Sequence, residues 1–480
     1  MSSSPCPIVR RFVALAHRDP AACAILGPDG VPRLDRGELL KRSRVLASEL
    51  QVYARPGDTA VLSLPNSWEC VAAFVAARFA GLRVALVDAT APARELERCA
   101  ATVGACVVVT WQEGADGGAV SIQPRAATPV PLPSGTAVLK LTSGSTGAPQ
   151  AVALSARQVV ADTVQIVRSM GLGGSDTTLA AIPLTHSYGF GSCLLLLLLT
   201  GAPLVFPDST LPAALLAALC AARVAHFPAV PAMIRALAAL PDLPPLPHLR
   251  LCLSAGAPLD PDDAAAFQAR TGVKVHAFYG SSECGGITFG RSDGGILPKG
   301  RVGTPLWRVH VEVVGEDGRP CPPGREGRVR VLSPAVALGL VPPPAGDNPI
   351  AGRSFATTDL GILDENGQLT LTGRAGAALN VAGKKVHPEE IRRVIEALPG
   401  VREAVVLGLP DRRRGDLVAA LVATDPAARL TRAVILAHCR AHLAPYKLPH
   451  RLVLVGELPR SERGKIQRDQ VVAMLRAPRR

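Results

Sequence analysis

Short apolar segments alternate with helix-like segments from about residue 36 onward. The run "TAVLSLP" at 59–65 precedes the helical pattern "SWECVAAFVAARFAG" at 67–81, and "LRVALVD" at 82–88 precedes "APARELERCAATVG" at 91–104. The later runs "RVAHFPAV", "LRLCLSAGAP" and "VKVHAFYG" are flanked in the same way. Strands that alternate with helices form parallel sheets that are covered on both faces. The pattern therefore predicts an α/β fold.

The pattern changes after about residue 300. The segment "RVHVEVVGEDGRPCPPGREGRVRVLSP" alternates and turns like a small antiparallel β unit. Further on, a strand pattern leads through a glycine-rich turn into a helix that is predicted to start at Pro388, since proline followed by two glutamates favours a first helical turn. The last ~100 residues are predicted to form a separate small α+β domain, a length within the usual domain range.

Composition limits the class of protein. The chain has 480 residues, of which 48% are hydrophobic and 19% charged, and this indicates a globular protein with more than one domain. The net charge is +13, but the basic residues are scattered and no nucleic-acid-binding motif is present, so we interpret most of them as solvated surface. Eleven cysteines without a CxxC pair favour a reducing, cytoplasmic location. The apolar run at 193–206 is too short and interrupted to predict a membrane span.

The stretch "LKLTSGSTGAPQAVAL" at 139–154 places a loop rich in glycine and hydroxyl groups between a strand and a helix, with Ser155 as the predicted N-cap. Glycines let backbone N–H groups converge, and the hydroxyls add donors, which suits phosphate oxygens. Such loops are common, and a single one would more simply be a plain connection. It is also not the GxxxxGK[ST] loop.

Seven further motifs accompany this loop, and the complete set in this order and spacing resembles the adenylate-forming superfamily of AMP-binding enzymes. They are "IPLTHSYGFG" (182–191), "LSAGAPL" (253–259), "AFYGSSECGG" (277–286), "RVGTPL" (301–306), "FATTDLG" (355–361), "LTGRAGAALNVAGKKVHPEEI" (371–391) and "LPRSERGKIQRDQV" (458–471). The resemblance implies a large N-terminal domain at 1–373, with mixed or parallel sheets covered by helices plus a small β subdomain. A small mobile α+β domain would occupy 374–480.

In this superfamily a carboxylate attacks the α-phosphate of ATP and gives an acyl adenylate and pyrophosphate, so negative charge must be stabilised on the phosphates. The resemblance assigns Glu283 to Mg²⁺ and Ser282 to the neighbourhood of the α-phosphate. It assigns the phosphate loop to Thr142, Ser143, Gly144, Ser145, Thr146 and Gly147.

The remaining nucleotide contacts follow from the same resemblance. Tyr279 would lie against the adenine, and Gly280 would be a further nucleotide-binding residue. Asp359 would bridge the ribose hydroxyls with Arg374 nearby, and Lys465 would reach the α-phosphate and the carboxylate. The loop over the base would be formed by Ser254, Ala255, Gly256, Ala257 and Pro258. Taken singly, Glu283, Asp359 and Lys465 could each be an ordinary surface or turn residue. The ordered set favours the functional interpretation.

His186 has two interpretations that we weigh equally. The family often has histidine or an aromatic residue at this place, beside the acyl channel, which makes His186 a candidate catalytic residue. A structural histidine that is held by hydrogen bonds explains the residue as well.

The sequence departs from the family at two places. The lysine and glycine that usually end the phosphate loop are Gln150 and Ala151 here, so one positive charge near the phosphates is missing. The acidic residue and lysine that usually form the hinge are replaced by Gly376, Ala377 and Asn380, and small residues still permit a hinge rotation. These departures leave open a slower first step, or a catalytically silent nucleotide-binding relative.

The motif "THSYGFGSC" offers no aspartate to pair with a substrate ammonium, and an unpaired buried ammonium is costly. We therefore expect an acid without an α-amino group. The small residues Gly189, Gly191 and Ser192 and the apolar run 194–199 suit a fatty or aromatic acid, although the leucines are better explained as core.

For the acceptor, the loop "NVAGKKVHP" offers Gly383 for close approach, and Lys384 and Lys385 for phosphate. The basic run 412–414 could meet the nucleotide of CoA or simply be solvated. The sequence thus predicts an AMP-forming acid–thiol ligase that uses ATP, Mg²⁺ and CoA, most simply an acyl-CoA synthetase. The alternative acceptor is the phosphopantetheine of a separate acyl carrier protein.

Overall fold

A computed structural model describes residues 6–113, 118–143, 149–291, 295–298, 300–315, 317–344, 348–374, 379–411, 415–459 and 468–477. Contacts along the chain divide it into two compact units. The first unit comprises Met1–Ala89, Ala100–Leu141 and Ala151–Ala375, and the second comprises Thr90–Cys99, Thr142–Gln150 and Gly376–Arg480. The domain limits 1–373 and 374–480 stay a prediction from the sequence.

The helices of the described residues are α1 (Pro7–Arg18), α2 (Arg36–Tyr53), α3 (Trp68–Phe79), α4 (Ala93–Thr102), α5 (Ala156–Met170), α6 (Ser187–Gly189), α7 (Leu195–Thr200), α8 (Pro212–Ala221), α9 (Pro231–Ala238), α10 (Pro261–Thr271), α11 (Pro388–Glu396), α12 (Arg432–His442) and α13 (Arg468–Arg476). A wide π-type turn covers Phe190–Leu194, and 3₁₀ turns cover Pro426–Ala428 and Pro445–Lys447.

The strands are β1 (Cys23–Leu26), β2 (Pro32–Asp35), β3 (Thr59–Ser63), β4 (Arg83–Leu86), β5 (Ala105–Gln112), β6 (Ala119–Pro124), β7 (Thr136–Ser143), β8 (Pro149–Ser155), β9 (Thr178–Leu179), β10 (Leu204–Val205), β11 (His226–Ala229), β12 (Leu251–Ser254), β13 (Val275–Ser281), β14 (Gly285–Phe289), β15 (Arg301–Pro305), β16 (His310–Val314), β17 (Glu326–Leu332), β18 (Gly339–Val341), β19 (Ile350–Ala351), β20 (Ser354–Leu363), β21 (Leu369–Arg374), β22 (Leu379–Val381), β23 (Lys384–Val386), β24 (Val401–Asp411), β25 (Gly415–Thr424) and β26 (Arg451–Val455).

The first unit contains a long mixed sheet. Its strand order is β16-β17-β20-β21-β15-β14-β13-β12-β11-β9-β10-β1-β2. The neighbours from β13 to β1 pair in parallel, as the alternation of strands and helices predicts. From β13 through β14 to β16 the pairing is antiparallel. The antiparallel region predicted after residue 300 is therefore present, and its strands continue the hydrogen-bonded path of the large sheet.

A second sheet of the first unit has the order β18-β8-β7-β4-β3-β5-β6. Helix α3 packs in the core, where every residue from Cys70 to Ala77 is buried, and its apolar composition on all sides requires such a position. Helix α5 begins with a capping box, because Ser155 accepts from the Gln158 N–H while the Gln158 side chain accepts from the Ser155 N–H. Ser155 is therefore the N-cap that the sequence predicts.

The leucine-rich run is a buried helix, turn and strand. Leu194 to Leu198 are at most 1% exposed, Gly201 ends α7 with a φ of 83°, and β10 follows. Glycine takes this left-handed conformation without steric cost. None of the helices in the described ranges has the length and apolarity needed to cross a bilayer.

The second unit has its own sheet and core. The strand order is β23-β22-β25-β24, and β26 pairs in parallel with β25. Helix α11 begins at Pro388, as predicted, and Ile391 and Ile395 on its inner face are fully buried. The predicted fold class, α/β with a large N-terminal domain and a small α+β C-terminal domain, is confirmed.

Candidate active site

The end of β12 carries the loop that is predicted to cover a nucleotide base. Strand β12 lies parallel to β13, with Ser254 opposite Ala277, so the loop starts beside the strand that carries Tyr279. The Ser254 hydroxyl is buried without a hydrogen-bond partner. Gly256 follows with a φ of 87°, a conformation that favours glycine. The loop thus combines an unused hydroxyl with a tight backbone turn.

Tyr279 and Asp359 contact each other directly. The Tyr279 hydroxyl donates to Asp359 Oδ2 at 2.6 Å, and the two residues are 8% and 3% exposed. Burial, together with the neighbouring carboxylate, raises the pKa of Tyr279 well above its ordinary value, so the phenol keeps its proton and remains a donor. The Asp359 N–H donates to Thr357 Oγ1 at 3.0 Å, which fixes the backbone next to the carboxylate. The resemblance assigns both residues to one nucleotide site, and in the structure they are in direct contact.

Asp359 is also aligned with Arg374. Strands β20 and β21 pair antiparallel with Asp359 opposite Arg374, so the two predicted ribose-site residues occupy one rung of the sheet. The side chain of Arg374 lies outside the described residues.

The acidic turn, which we define as Ser282 to Cys284, connects β13 to β14. The Ser282 hydroxyl is 2.7 Å from the hydroxyl of Ser187, and the carbonyl of Glu283 accepts from the Ala337 N–H at 2.8 Å. Glu283 Oε2 is buried without a hydrogen-bond partner. A buried carboxylate oxygen in this state is costly unless a cation or a donor meets it.

These groups fit the ligands that the family implies. Across the described residues, no group of three or more His, Cys, Asp or Glu side chains could hold a metal ion. Mg²⁺ does not need such a cage, because it is usually bound by one or two carboxylates together with substrate phosphates and water. Glu283 would hold the ion through its unpartnered oxygen. The bound Mg²⁺ would supply positive charge to the phosphate oxygens.

His186 has a structural contact. It precedes α6, and its Nδ1 accepts from the Tyr188 N–H at 3.3 Å. The Tyr188 ring in turn packs on Phe278, with 5.6 Å between ring centroids. This contact agrees with the structural interpretation, and a role of His186 beside the acyl group stays a prediction.

Several predicted residues lie outside the described part of the chain. These are the loop residues Gly144, Ser145, Thr146 and Gly147, the side chain of Ser143, the hinge residues Gly376 and Ala377, the basic run 412–414, and Lys465. At the described edges of the loop, the Thr142 hydroxyl donates to the Gln150 carbonyl at 3.2 Å.

In the second unit, the predicted acceptor loop is a tight β22–β23 hairpin. Asn380 Oδ1 accepts from the Gly383 N–H at 3.0 Å, and Lys384 lies 4.2 Å from the centroid of the Tyr446 ring. Next to Tyr446, Lys447 is 3% exposed, and its ammonium binds Glu95 at 2.5 Å and Glu390 at 3.0 Å. Burial lowers the pKa of Lys447, but Tyr446 and the two carboxylates outweigh it and raise that pKa overall.

Two buried charged residues near the acidic turn were missed by the sequence analysis. Lys140 on β7 is 4% exposed and Asp162 on α5 is 6% exposed. A signal was available for each: Lys140 interrupts the apolar strand "AVLKL", and Asp162 falls on the helix face of Val159 and Ile166. A charge on a buried face needs a partner or a function.

Comparison with known proteins identifies the family. Residues 12–341 match the AMP-binding enzyme family, and residues 390–465 match the AMP-binding enzyme C-terminal domain. A sulfoacetate–CoA ligase from Cupriavidus necator is 31% identical over 71% of this chain and 67% of its own length. A feruloyl-CoA synthase from an Amycolatopsis species is 28% identical over 96% of this chain and 97% of its own length. The structure of an amide bond synthetase from Marinactinospora thermotolerans superimposes with a TM-score of 0.82 at 26% identity, covering 97% of this chain and 99% of that one.

The chain therefore belongs to the AMP-binding enzymes. Its predicted class, an AMP-forming acid–thiol ligase of the acyl-CoA synthetase type, is confirmed.

Proposed function

We propose that this enzyme activates a carboxylic acid with ATP and Mg²⁺ and then transfers the acyl group to the thiol of CoA. In the first step a carboxylate oxygen bonds to the α-phosphorus, and the bond to the pyrophosphate leaving group breaks. In the second step the CoA thiolate bonds to the acyl carbon, and AMP leaves. The residues assigned to this chemistry are Glu283, Ser282, Asp359, Tyr279 and Lys465.

The observation that carries the proposal is the Tyr279–Asp359 hydrogen bond beside the base loop. A buried carboxylate whose orientation is fixed by a neutral phenol can accept hydrogen bonds from two vicinal hydroxyls without reorganising. The acidic turn begins at the end of the same strand, β13, with an unpartnered carboxylate oxygen for the metal. One strand thus supplies contacts for the nucleoside and the phosphates.

For the acid, we propose a fatty or aromatic carboxylate without an α-amino group. The motif at 185–193 contains no carboxylate, and Asp162, whose carboxylate faces Gly191 of that motif, already accepts a hydrogen bond from the Gly286 N–H. The feruloyl-CoA synthase is named for an aromatic acid, which supports the aromatic choice, whereas the sulfoacetate ligase is named for a small dianionic acid. The substrate panel must therefore include both kinds.

The test of the first step is acid-dependent exchange of labelled pyrophosphate into ATP. The panel contains fatty, aromatic, dicarboxylic, sulfonated and amino acids, each at equal concentration with Mg²⁺. We expect exchange with at least one acid that lacks an α-amino group. Exchange with amino acids alone would contradict the proposed acid, and no exchange with any acid in folded protein would favour the silent nucleotide-binding alternative.

The test of the second step compares acceptors for the acid that gives the fastest exchange. CoA, a phosphopantetheinylated carrier protein and a simple amine are offered in separate reactions, and AMP release and product mass are measured. We expect AMP release to be stimulated by CoA. Transfer to the carrier but not to CoA would replace the proposal with a carrier-protein ligase, and transfer to the amine alone would indicate an amide-forming enzyme.

A further inference from the structure

The buried carboxylate of Asp162 holds the C-terminal end of the acidic turn. Its Oδ1 accepts from the Gly286 N–H at 2.8 Å, at the start of β14. Its Oδ2 is directed toward Gly191 of the π-type turn, where an added Cβ would lie 3.6 Å away. Asp162 therefore lies between the acidic turn and the segment that is expected to face the acyl group.

Gly285 shows how closely the carboxylate and the turn approach. Gly285 has a φ of 72°, and a Cβ added there would overlap the Asp162 carboxylate. Both the backbone conformation and the space thus require glycine at this position. The close approach fixes the backbone two residues after Glu283.

Lys140 supplies the opposite charge. It lies on β7, the strand that leads into the serine–threonine loop, and its ammonium is 5.6 Å from the centroid of the Phe190 ring. Burial lowers the pKa of Lys140, and Asp162 is the strongest of the acidic groups that oppose this shift, followed by Cys284 and Glu283. Burial likewise raises the pKa of Asp162, and Lys140 is the main group that opposes it.

We propose that the buried Asp162 carboxylate holds the acidic turn in position for adenylation, and that the buried ammonium of Lys140, which lies beside Phe190, balances its charge. The inference rests on the proposed function, because it gives the turn a role in catalysis. Asp162 and Lys140 are positioning residues that act through Glu283 and Ser282. Through Asp162, helix α5 is thus joined to the backbone that follows the metal-binding turn.

The test uses pyrophosphate exchange by the full chain with its best acid and Mg²⁺. Asp162→Ala removes both the charge and the acceptor, whereas Asp162→Asn keeps an oxygen acceptor toward Gly286. Because a hydrogen bond to a charged group contributes about 1.5–3 kcal/mol, we expect Asp162→Ala to lower kcat by about 10- to 100-fold. Asp162→Asn should retain more activity than Asp162→Ala. The matched control is Asp176→Asn, since Asp176 is buried like Asp162 (8% and 6% exposed) and also accepts from a backbone N–H, that of Gly173, at 2.7 Å.

The counter-ion role predicts a specific double variant. Lys140→Met leaves the buried Asp162 carboxylate without the opposing positive charge and should lower kcat. Combining Lys140→Met with Asp162→Asn removes both charges and should restore activity toward that of Asp162→Asn alone. Gly285→Ala offers an independent perturbation, because it disturbs the same contact from the side of the turn. It should lower kcat more than it raises the KM for ATP.

Four results would overturn the inference while wild-type exchange is normal. The first is an unchanged kcat in folded Asp162→Ala, and the second is additive losses in the double variant. The third is a loss in Lys140→Met that is restricted to acids with a second anionic group, which would make Lys140 a substrate contact. The fourth is a loss that follows thermal stability alone and occurs equally in Asp176→Asn. Absence of exchange in the wild-type chain would instead reject the proposed function itself.

Discussion

The buried Lys447 cluster of the second unit gives a quantitative prediction about stability. Lys447 contacts Glu95 and Glu390, which are 7% and 3% exposed, and the second carboxylate oxygen of each glutamate has no partner. Lys447→Met would remove the buried cation and leave two buried carboxylates, with only the partly exposed Arg98 still 4.0 Å from Glu390. Removing one member of a buried ion pair typically costs about 3–5 kcal/mol, so we expect a loss of this size at pH 7 in the free energy of unfolding of the second unit.

The loss should depend on pH. Burial raises the pKa of Glu390 above its ordinary value of 4.5 even with Lys447 present, and removing the cation raises it further. A carboxyl group with a raised pKa in the folded state favours folding below its unfolded pKa, and this contribution disappears as pH rises through the folded pKa. Lys447→Met should therefore be nearest to the wild type at about pH 4.5 and furthest from it at neutral pH.

The assay must distinguish the two units. All three tryptophans, Trp68, Trp111 and Trp307, belong to the first unit, so fluorescence follows that unit only. Hydrogen exchange of peptides from α11, β24 and β25 reports on the second unit. We expect faster exchange in those peptides of Lys447→Met and little change in the fluorescence transition.

Two controls test the reasoning. Lys41→Met removes an ion pair to Glu38 in which the two charged atoms are 3.6 Å apart and the lysine side chain is 76% exposed. Because water screens such a pair, the free energy of unfolding should stay nearly unchanged. Adding Glu95→Gln and Glu390→Gln to Lys447→Met removes the buried charges and should recover part of the loss. Equal exchange in Lys447→Met and wild type, or a loss that is the same at pH 4.5 and pH 7, would refute the argument.

Three further predictions concern the active site and acid stability. Lys465→Ala should abolish pyrophosphate exchange but leave ATP binding largely intact, as measured by equilibrium binding; unchanged exchange would remove its proposed role. Tyr279→Phe removes the donor to Asp359 and should raise the KM for ATP by about 10- to 100-fold, and an unchanged KM in an ATP titration would contradict this. Burial, followed by Arg250, lowers the pKa of His226 to about 3, so stability should fall as pH drops below 6.5; His226→Gln should reduce that slope by roughly 1 kcal/mol per pH unit in denaturant titrations, and an identical slope would argue against it.

Local signals in the sequence predicted much of the fold. The N-cap at Ser155, the helix start at Pro388 and the strand–helix alternation each depend on neighbours within a few positions, and the structure contains all three. The resemblance to a family also placed Tyr279 and Asp359 at one site, although they are 80 positions apart. A set of motifs in a fixed order can indicate contacts between distant residues, whereas the secondary-structure propensities of single residues cannot.

Contacts without a motif could not be predicted. The Asp162 carboxylate meets an N–H that is 124 positions away, and Lys447 meets Glu95 across 352 positions. A lone charge in an apolar pattern indicates that a partner is needed, but it does not say which one. The sequence also did not predict that the antiparallel strands continue the large sheet. Pairing between strands that are distant in the chain depends on the packing of the whole unit.

The pairing of Asp359 with Arg374 limits where this protein can be recombined. Arg374 ends β21, and one residue later the chain leaves the first unit. A chimera that exchanges the C-terminal part of the chain with that of a relative should keep its junction beyond Arg374. A junction inside β21 that gained or lost one residue would turn each following side chain to the opposite face and leave Asp359 opposite the wrong neighbour.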